Sequence, residues 1–140
     1  MVLTPARASS RSLQIRTPFP SASPSALRTI GKLDETELEF EDNAAVCVCI
    51  ASGGYPVSYK KGFEIKGLDN FKGKDGYYVF HAGTALKDGK IVTNGGRVLG
   101  VTAKGATLKE ARANAYEAVK LVEFEGMYYR HDIGKAIDEA

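Results

Sequence analysis

Residues 79–103, VFHAGTALKDGKIVTNGGRVLGVTA, constrain the fold of this chain more than any other segment. They combine two apolar β-type runs, a polar Lys-Asp-Gly-Lys turn and a Gly-Gly-Arg step that leads into a further strand. Asp88-Gly89 is a strong hairpin signal between YYVFHAG (77–83) and KIVT (90–93), and RVLGVTA (97–103) reads as the next strand. Gly95 and Gly96 allow a positive φ or a close approach of the backbone to a ligand. Arg97 then presents a planar fork of donors suited to a phosphate or a carboxylate.

The flanking sequence extends the β-rich pattern. AAVCVCIA (44–51) is a continuous Val-rich apolar run and predicts a buried strand. LDETELEF, with Leu33, Thr36, Leu38 and Phe40, reads as an entering strand or a connector. SGGYP (52–56) is a turn, FEIKGL (63–68) a weak strand and DNFKGKDG (69–76) a polar loop. One helix stands out. Thr107 and Glu110 make a capping-box pattern, and Leu108, Ala111, Ala115, Ala118, Val119 and Val122 recur at helical spacing, with an end expected near Leu121. LVEFEG is expected to return as a strand before an irregular tail. The fold expected is α+β: a small antiparallel β-rich domain with one packed amphipathic helix.

A chain of 140 residues holds one ordinary domain. Residues 1–30 are rich in Ser, Arg and Pro, lack a sustained apolar period and predict a disordered or transit-like leader. Residues 1–33 carry five basic groups and no acid, whereas the rest carries 14 basic against 17 acidic groups, a net −3. The part expected to fold is thus mildly acidic, which gives no support to a nucleic-acid partner. No window approaches the ~18 apolar residues of a spanning helix, so no membrane partner is expected either. Cys47 and Cys49 are the only cysteines and, with His81 and His131 as the only histidines, predict two small core residues rather than a disulfide or a metal site.

Three segments together carry a family resemblance: ASGGYPVSYKKGFEIKGL (51–68), the 79–103 segment, and EFEGMYYRHDIG (123–134). From about Gly31 to Ala136 the chain resembles the C-terminal domain of the phosphoribosylamine–glycine ligases (glycinamide ribonucleotide synthetases) of the ATP-grasp family. The resemblance implies a domain from 31 to 136, a tail over 137–140, and a fold akin to the rudimentary hybrid or barrel-sandwich motif of biotin-dependent enzymes. It implies a ligase of purine synthesis that joins glycine to 5-phosphoribosylamine, with ATP and magnesium bound by ATP-grasp domains that this sequence lacks. The chain alone is therefore expected to bind neither cofactor and to be inactive. Its expected partners are the small-molecule substrates and an ATP-grasp domain, and its expected location is the cytoplasm, or an organelle if the leader is a transit peptide. A truncated or misassembled gene product also accounts for the leader.

On this reading the substrate-binding candidates are Arg97 with the amides of Gly95 and Gly96, then Lys90 by analogy with related ATP-grasp enzymes, and His81, which is placed to orient Thr84 or a carboxylate. No catalytic residue and no metal ligand is expected in this chain. Each candidate has a plainer counterpart: an ion pair for Arg97, a solvated turn for Lys90, a structural hydrogen bond for His81. The Arg130-His131-Asp132 triplet reads as a tail that docks by ion pairs. Val57, Lys60 and the terminal GKAIDEA depart from the family pattern, and Val57 replaces a glycine position that would favour positive φ. A non-catalytic ribose-phosphate-binding or interaction remnant is the alternative function, and a structural fragment with exposed apolar surface is a third. A carrier role is disfavoured because neither Met1 nor Met127 has an adjacent lysine.

Overall fold

A computed structural model describes residues 11–15 and 38–136. The elements are β1 (Arg11–Ile15), β2 (Leu38–Ser52), a 3-10 turn (Leu68–Phe71), β3 (Tyr77–His81), β4 (Thr84–Lys87), β5 (Lys90–Thr93), β6 (Arg97–Gly105), α1 (Leu108–Val119) and β7 (Met127–Tyr128). The larger sheet runs β1-β2-β6-β3, with β7 also on β2, and every pairing in it is antiparallel. β4 and β5 form a separate hairpin. The architecture is a small α+β domain, as the sequence pattern predicts.

Register explains how the sheet acquires two unlike faces. Val46 pairs with Ala103, Val48 with Val101 and Ile50 with Leu99, and all six side chains are buried. Helix α1 covers this face through Ala111, Ala115, Ala118 and Val119, whose small side chains let the helix lie close to the strands. Thr107 caps the helix by accepting from the Glu110 amide at 3.2 Å, and the Glu110 carboxylate accepts in turn from the Ala106 amide at 2.9 Å. On the opposite face Cys47 pairs with Thr102 and Cys49 with Gly100, flanked by Tyr78 and Phe80 of β3. Tyr78, Phe80 and both thiols are exposed there.

The structure corrects several expectations. β2 is buried on one face only, so Cys47 and Cys49 are surface residues and not core. Of the expected leader only Arg11–Ile15 is described; it forms a strand along β2, whose first residues extend beyond the stretch paired with β6, and the rest of the leader and the 137–140 tail lie outside the described residues. The strand before the Asp88-Gly89 turn is not a continuation of β3. The chain breaks at Ala82-Gly83, where the amides donate to the Val98 and Arg97 carbonyls, and restarts as β4. Asp88 and Gly89 both take positive φ (50° and 75°), as a type I′ turn requires. FEIKGL supplies only isolated bridges at Glu64 and Lys66, and the return strand shrinks to Met127–Tyr128 with one bridge at Glu123. The 69–76 loop begins within a 3-10 turn whose Leu68 and Phe71 pack on the core. Among the described residues no helix is long and apolar enough to cross a membrane.

Candidate functional site

The Gly95-Gly96-Arg97 step lies where three stretches of chain meet. The buried Ser52, at the end of β2, donates from its amide to the Gly96 carbonyl at 2.8 Å and from its hydroxyl to the Gly95 carbonyl at 2.9 Å. From the other side the Gly83 amide donates to the Arg97 carbonyl at 2.8 Å, and the Gly83 carbonyl accepts from the Asn94 amide at 2.7 Å. The step is therefore clamped through its carbonyls. Among the described residues no backbone carbonyl accepts from the Gly95 or Gly96 amide.

Neither glycine takes positive φ, so close approach is the reason for them. A Cβ on Gly96 would stand 2.0 Å from Cδ2 and 2.3 Å from Cε2 of Tyr55, which means that the tyrosine ring occupies the space of the missing side chain. A Cβ on Gly83 would meet the Gly95 Cα at 2.6 Å. Much of the glycine content here serves packing of the chain on itself. Tyr55 also meets Tyr59 edge-on, at 5.8 Å between ring centroids. Val57 closes this turn, its amide donating to the Gly54 carbonyl at 3.0 Å; it is 93% exposed and its φ is not positive, so no left-handed backbone is forced on it.

Arg97 is exposed and forms no ion pair among the described residues. It borders an open groove of about 570 Å³ together with Cys47, Cys49, Tyr55, Phe80 and Gly96. Partial enclosure dominates the chemistry of Cys49 and pushes its thiol above the usual value; the Arg97 charge opposes that shift, and Cys47 adds a smaller upward push. A guanidinium without an ion pair among the described residues, on a fixed backbone beside a tyrosine, is suited to an anionic ligand.

The other candidates lie apart from this groove. Lys90 is tied to Glu64 at 2.8 Å, an exposed ion pair at the start of β5. His81 ends β3, and its Nδ1 is 3.1 Å from the Thr84 hydroxyl, the local arrangement that the sequence allowed. A second depression, of about 480 Å³, is lined by Phe63, Phe124, Glu64, Glu123, Glu125 and Lys66. Three carboxylates against one ammonium make it a poor home for a phosphate. Sequence reading missed Ser52 and the thiols. A lone buried serine before two glycines carries little signal, whereas the alternation of Val and Cys in VCVC was available.

The tail docks differently from expectation. Arg130 and Asp132 pair with each other, at 2.8 and 2.6 Å, and their mutual bonds raise the arginine and lower the carboxyl from their ordinary values. Attachment to α1 comes from the Tyr116 hydroxyl, which donates to the Arg130 carbonyl and accepts from the Ile133 amide, and from Arg112 Nε, which donates to the Ile133 carbonyl at 2.7 Å. His131 packs on Tyr129 at 4.7 Å between rings.

Comparison with known proteins gives this geometry a family. The description "Phosphoribosylglycinamide synthetase, C domain" matches residues 45–136, which include all of the groove. This chain belongs to that family. Among curated relatives, the phosphoribosylamine–glycine ligase of Caldanaerobacter subterraneus subsp. tengcongensis is 57% identical over 103 residues, 74% of this chain and 24% of the relative. That of Synechocystis sp. is 58% identical over 97 residues, 69% of this chain and 23% of the relative. The crystal structure of phosphoribosylamine–glycine ligase from Thermotoga maritima matches with a TM-score of 0.55 at 48% identity, over 63% of this chain and 21% of that one. This phosphoribosylglycinamide synthetase C domain thus spans about a quarter of the length of the curated relatives it matches.

Proposed function

We propose that this chain is the C-terminal part of a phosphoribosylamine–glycine ligase and that it supplies one wall of the sugar-phosphate pocket. In the complete reaction ATP phosphorylates the glycine carboxylate, the amine of 5-phosphoribosylamine displaces phosphate from the acyl phosphate, and glycinamide ribonucleotide, ADP and phosphate result. On this reading ATP and magnesium are held by the ATP-grasp domains of the complete enzyme, and the groove residues of this chain take the sugar phosphate. Arg97 holds the 5′-phosphate, the Gly95 and Gly96 amides add donors, and Tyr55 fixes the loop. The carrying observation is the exposed guanidinium without an ion pair on a backbone clamped by Ser52 and Gly83.

The test is titration of the isolated chain with ribose 5-phosphate, followed by amide chemical shifts. Saturable shifts at Gly95, Gly96 and Arg97 are expected, with at least about tenfold weaker binding in Arg97→Ala, the loss of one charge-assisted contact. No shift in that loop, or equal binding by the variant, refutes the clamp. ADP release with glycine and phosphoribosylamine is expected only when ATP-grasp domains are added in trans. Phosphate binding without any activity on that addition favours the second reading, a non-catalytic ribose-phosphate-binding remnant, for which the observation is that the groove exists within this chain alone.

A further inference from the structure

We propose that Cys47 and Cys49 form a two-coordinate thiolate site for a soft monovalent cation of the Cu(I) class. The two thiols lie on the exposed face of β2, one residue apart, with neither joined in a disulfide. Alternate residues of a strand are separated by about 6.6 Å along it. That spacing is long for a disulfide, which needs Cβ atoms about 3.5–4.5 Å apart. A metal ion bridges a longer gap, since two bonds of the ~2.3 Å length of a zinc–thiolate bond add their reach to that of the side chains.

The surroundings favour the pair over independent thiols. Cys47 faces Thr102 in register, yet its sulfur lies 3.1 Å from where a Cβ on Gly100 would stand, and Gly100 is the partner of Cys49. The Cys47 sulfur therefore leans along the strand toward the Cys49 position, over a site that carries no side chain. Both thiols border the Arg97 groove, with Phe80 as an apolar neighbour.

Ligand count selects the ion. Among the described residues no third His, Cys, Asp or Glu joins the pair. Zinc requires four ligands and calcium or magnesium prefer oxygen, so these are disfavoured. Cu(I) accepts two soft thiolates in a linear arrangement. Binding exchanges two thiol protons for one Cu(I), forms two copper–sulfur bonds, and leaves a bis-thiolate of net charge −1 that the neighbouring Arg97 guanidinium offsets. No electron is transferred. The ion would lie in the groove mouth, so copper occupancy competes with the sugar phosphate.

The experiment uses the full reduced chain under anaerobic conditions with Cu(I) supplied as its acetonitrile complex. Native mass spectrometry is expected to show one copper per monomer, and in the same copper-loaded sample both thiols are expected to be protected from a thiol-reactive dye that labels both in the metal-free chain. Cys47→Ser and Cys49→Ser, conservative changes at exposed positions, are each expected to weaken copper retention against a competing chelator by at least about tenfold. Phenylarsine oxide gives an independent check, one arsenic per chain consuming both thiols. A dimer bridged by copper, two coppers held independently, or retention undiminished in either variant would overturn the proposal. Because the readout is the thiols, it stands or falls apart from phosphate binding at Arg97; failure of the ribose 5-phosphate titration leaves it untouched.

Discussion

Gly96 illustrates how one residue couples packing to recognition. Its missing Cβ is the space that the Tyr55 ring fills, and its carbonyl is held by Ser52. Gly96→Ala must push the ring toward solvent, where Tyr55 is already 41% exposed. The expected cost is about 1–3 kcal/mol, the range for overpacking. Tyr55→Ala removes the obstacle, so the double variant is expected to recover part of that loss, with a coupling energy of about 1–2 kcal/mol between the positions. Urea denaturation of the four proteins measures it; additive effects would show that the alanine strains the backbone instead. The sequence made Gly96 legible as a close-approach glycine but not its partner, because the contact joins residues 41 positions apart and composition marks SGGYP as a turn without specifying what it packs on.

At the scale of elements, legibility followed periodicity and failed where pairing decides. α1 was readable because its cap and its Ala stripe are local, and the type I′ turn because Asp-Gly specifies it within two residues. β2 was recognised as a strand, but counting cysteine as apolar concealed the alternation that makes one face solvent-facing. β1, β7 and the bridges at Glu64, Lys66 and Glu123 are short stretches stabilised by neighbours and not by their own pattern. The tail shows the same dependence, its backbone being held by Tyr116 and Arg112 of the helix. Its Arg130–Asp132 pair gives a pH prediction. The folded carboxyl lies below its ordinary value, chiefly through the bond to Arg130, so its stabilising contribution is present above the unfolded value and is lost as pH falls through the folded one. Ring resonances of Tyr129 and His131 are expected to report loosening of the tail only below about pH 4. Loosening that is already complete well above that pH would show that the Arg130–Asp132 pair does not control the tail.

At the scale of the whole molecule, the sheet divides the chain into a closed face and an open one. The closed face holds Val48, Ile50, Leu99 and Val101 under α1, all with 0% exposure. The open face carries the thiols, Tyr78 stacked with Phe80 at 6.3 Å, and the Arg97 groove, while Lys104, tied to Glu41, lies over the Tyr78 ring. If the closed face alone stabilises this domain, truncations of similar size must have unlike effects on the two sides. Ile50→Ala is expected to cost about 2–5 kcal/mol, since it leaves a cavity where the helix cannot follow. Phe80→Ala removes a larger side chain that is 58% exposed, and it is expected to cost less than about 1 kcal/mol because little apolar area leaves the protein interior. Urea midpoints at constant slope measure both. Addition of ATP-grasp domains in trans then separates stability from function: if they close over the Arg97 groove from the open side, Phe80→Ala weakens association although it spares the fold. Equal association by Phe80→Ala and the parent chain would mean that the partner approaches elsewhere, and the open face would then belong to the groove and the thiol pair alone.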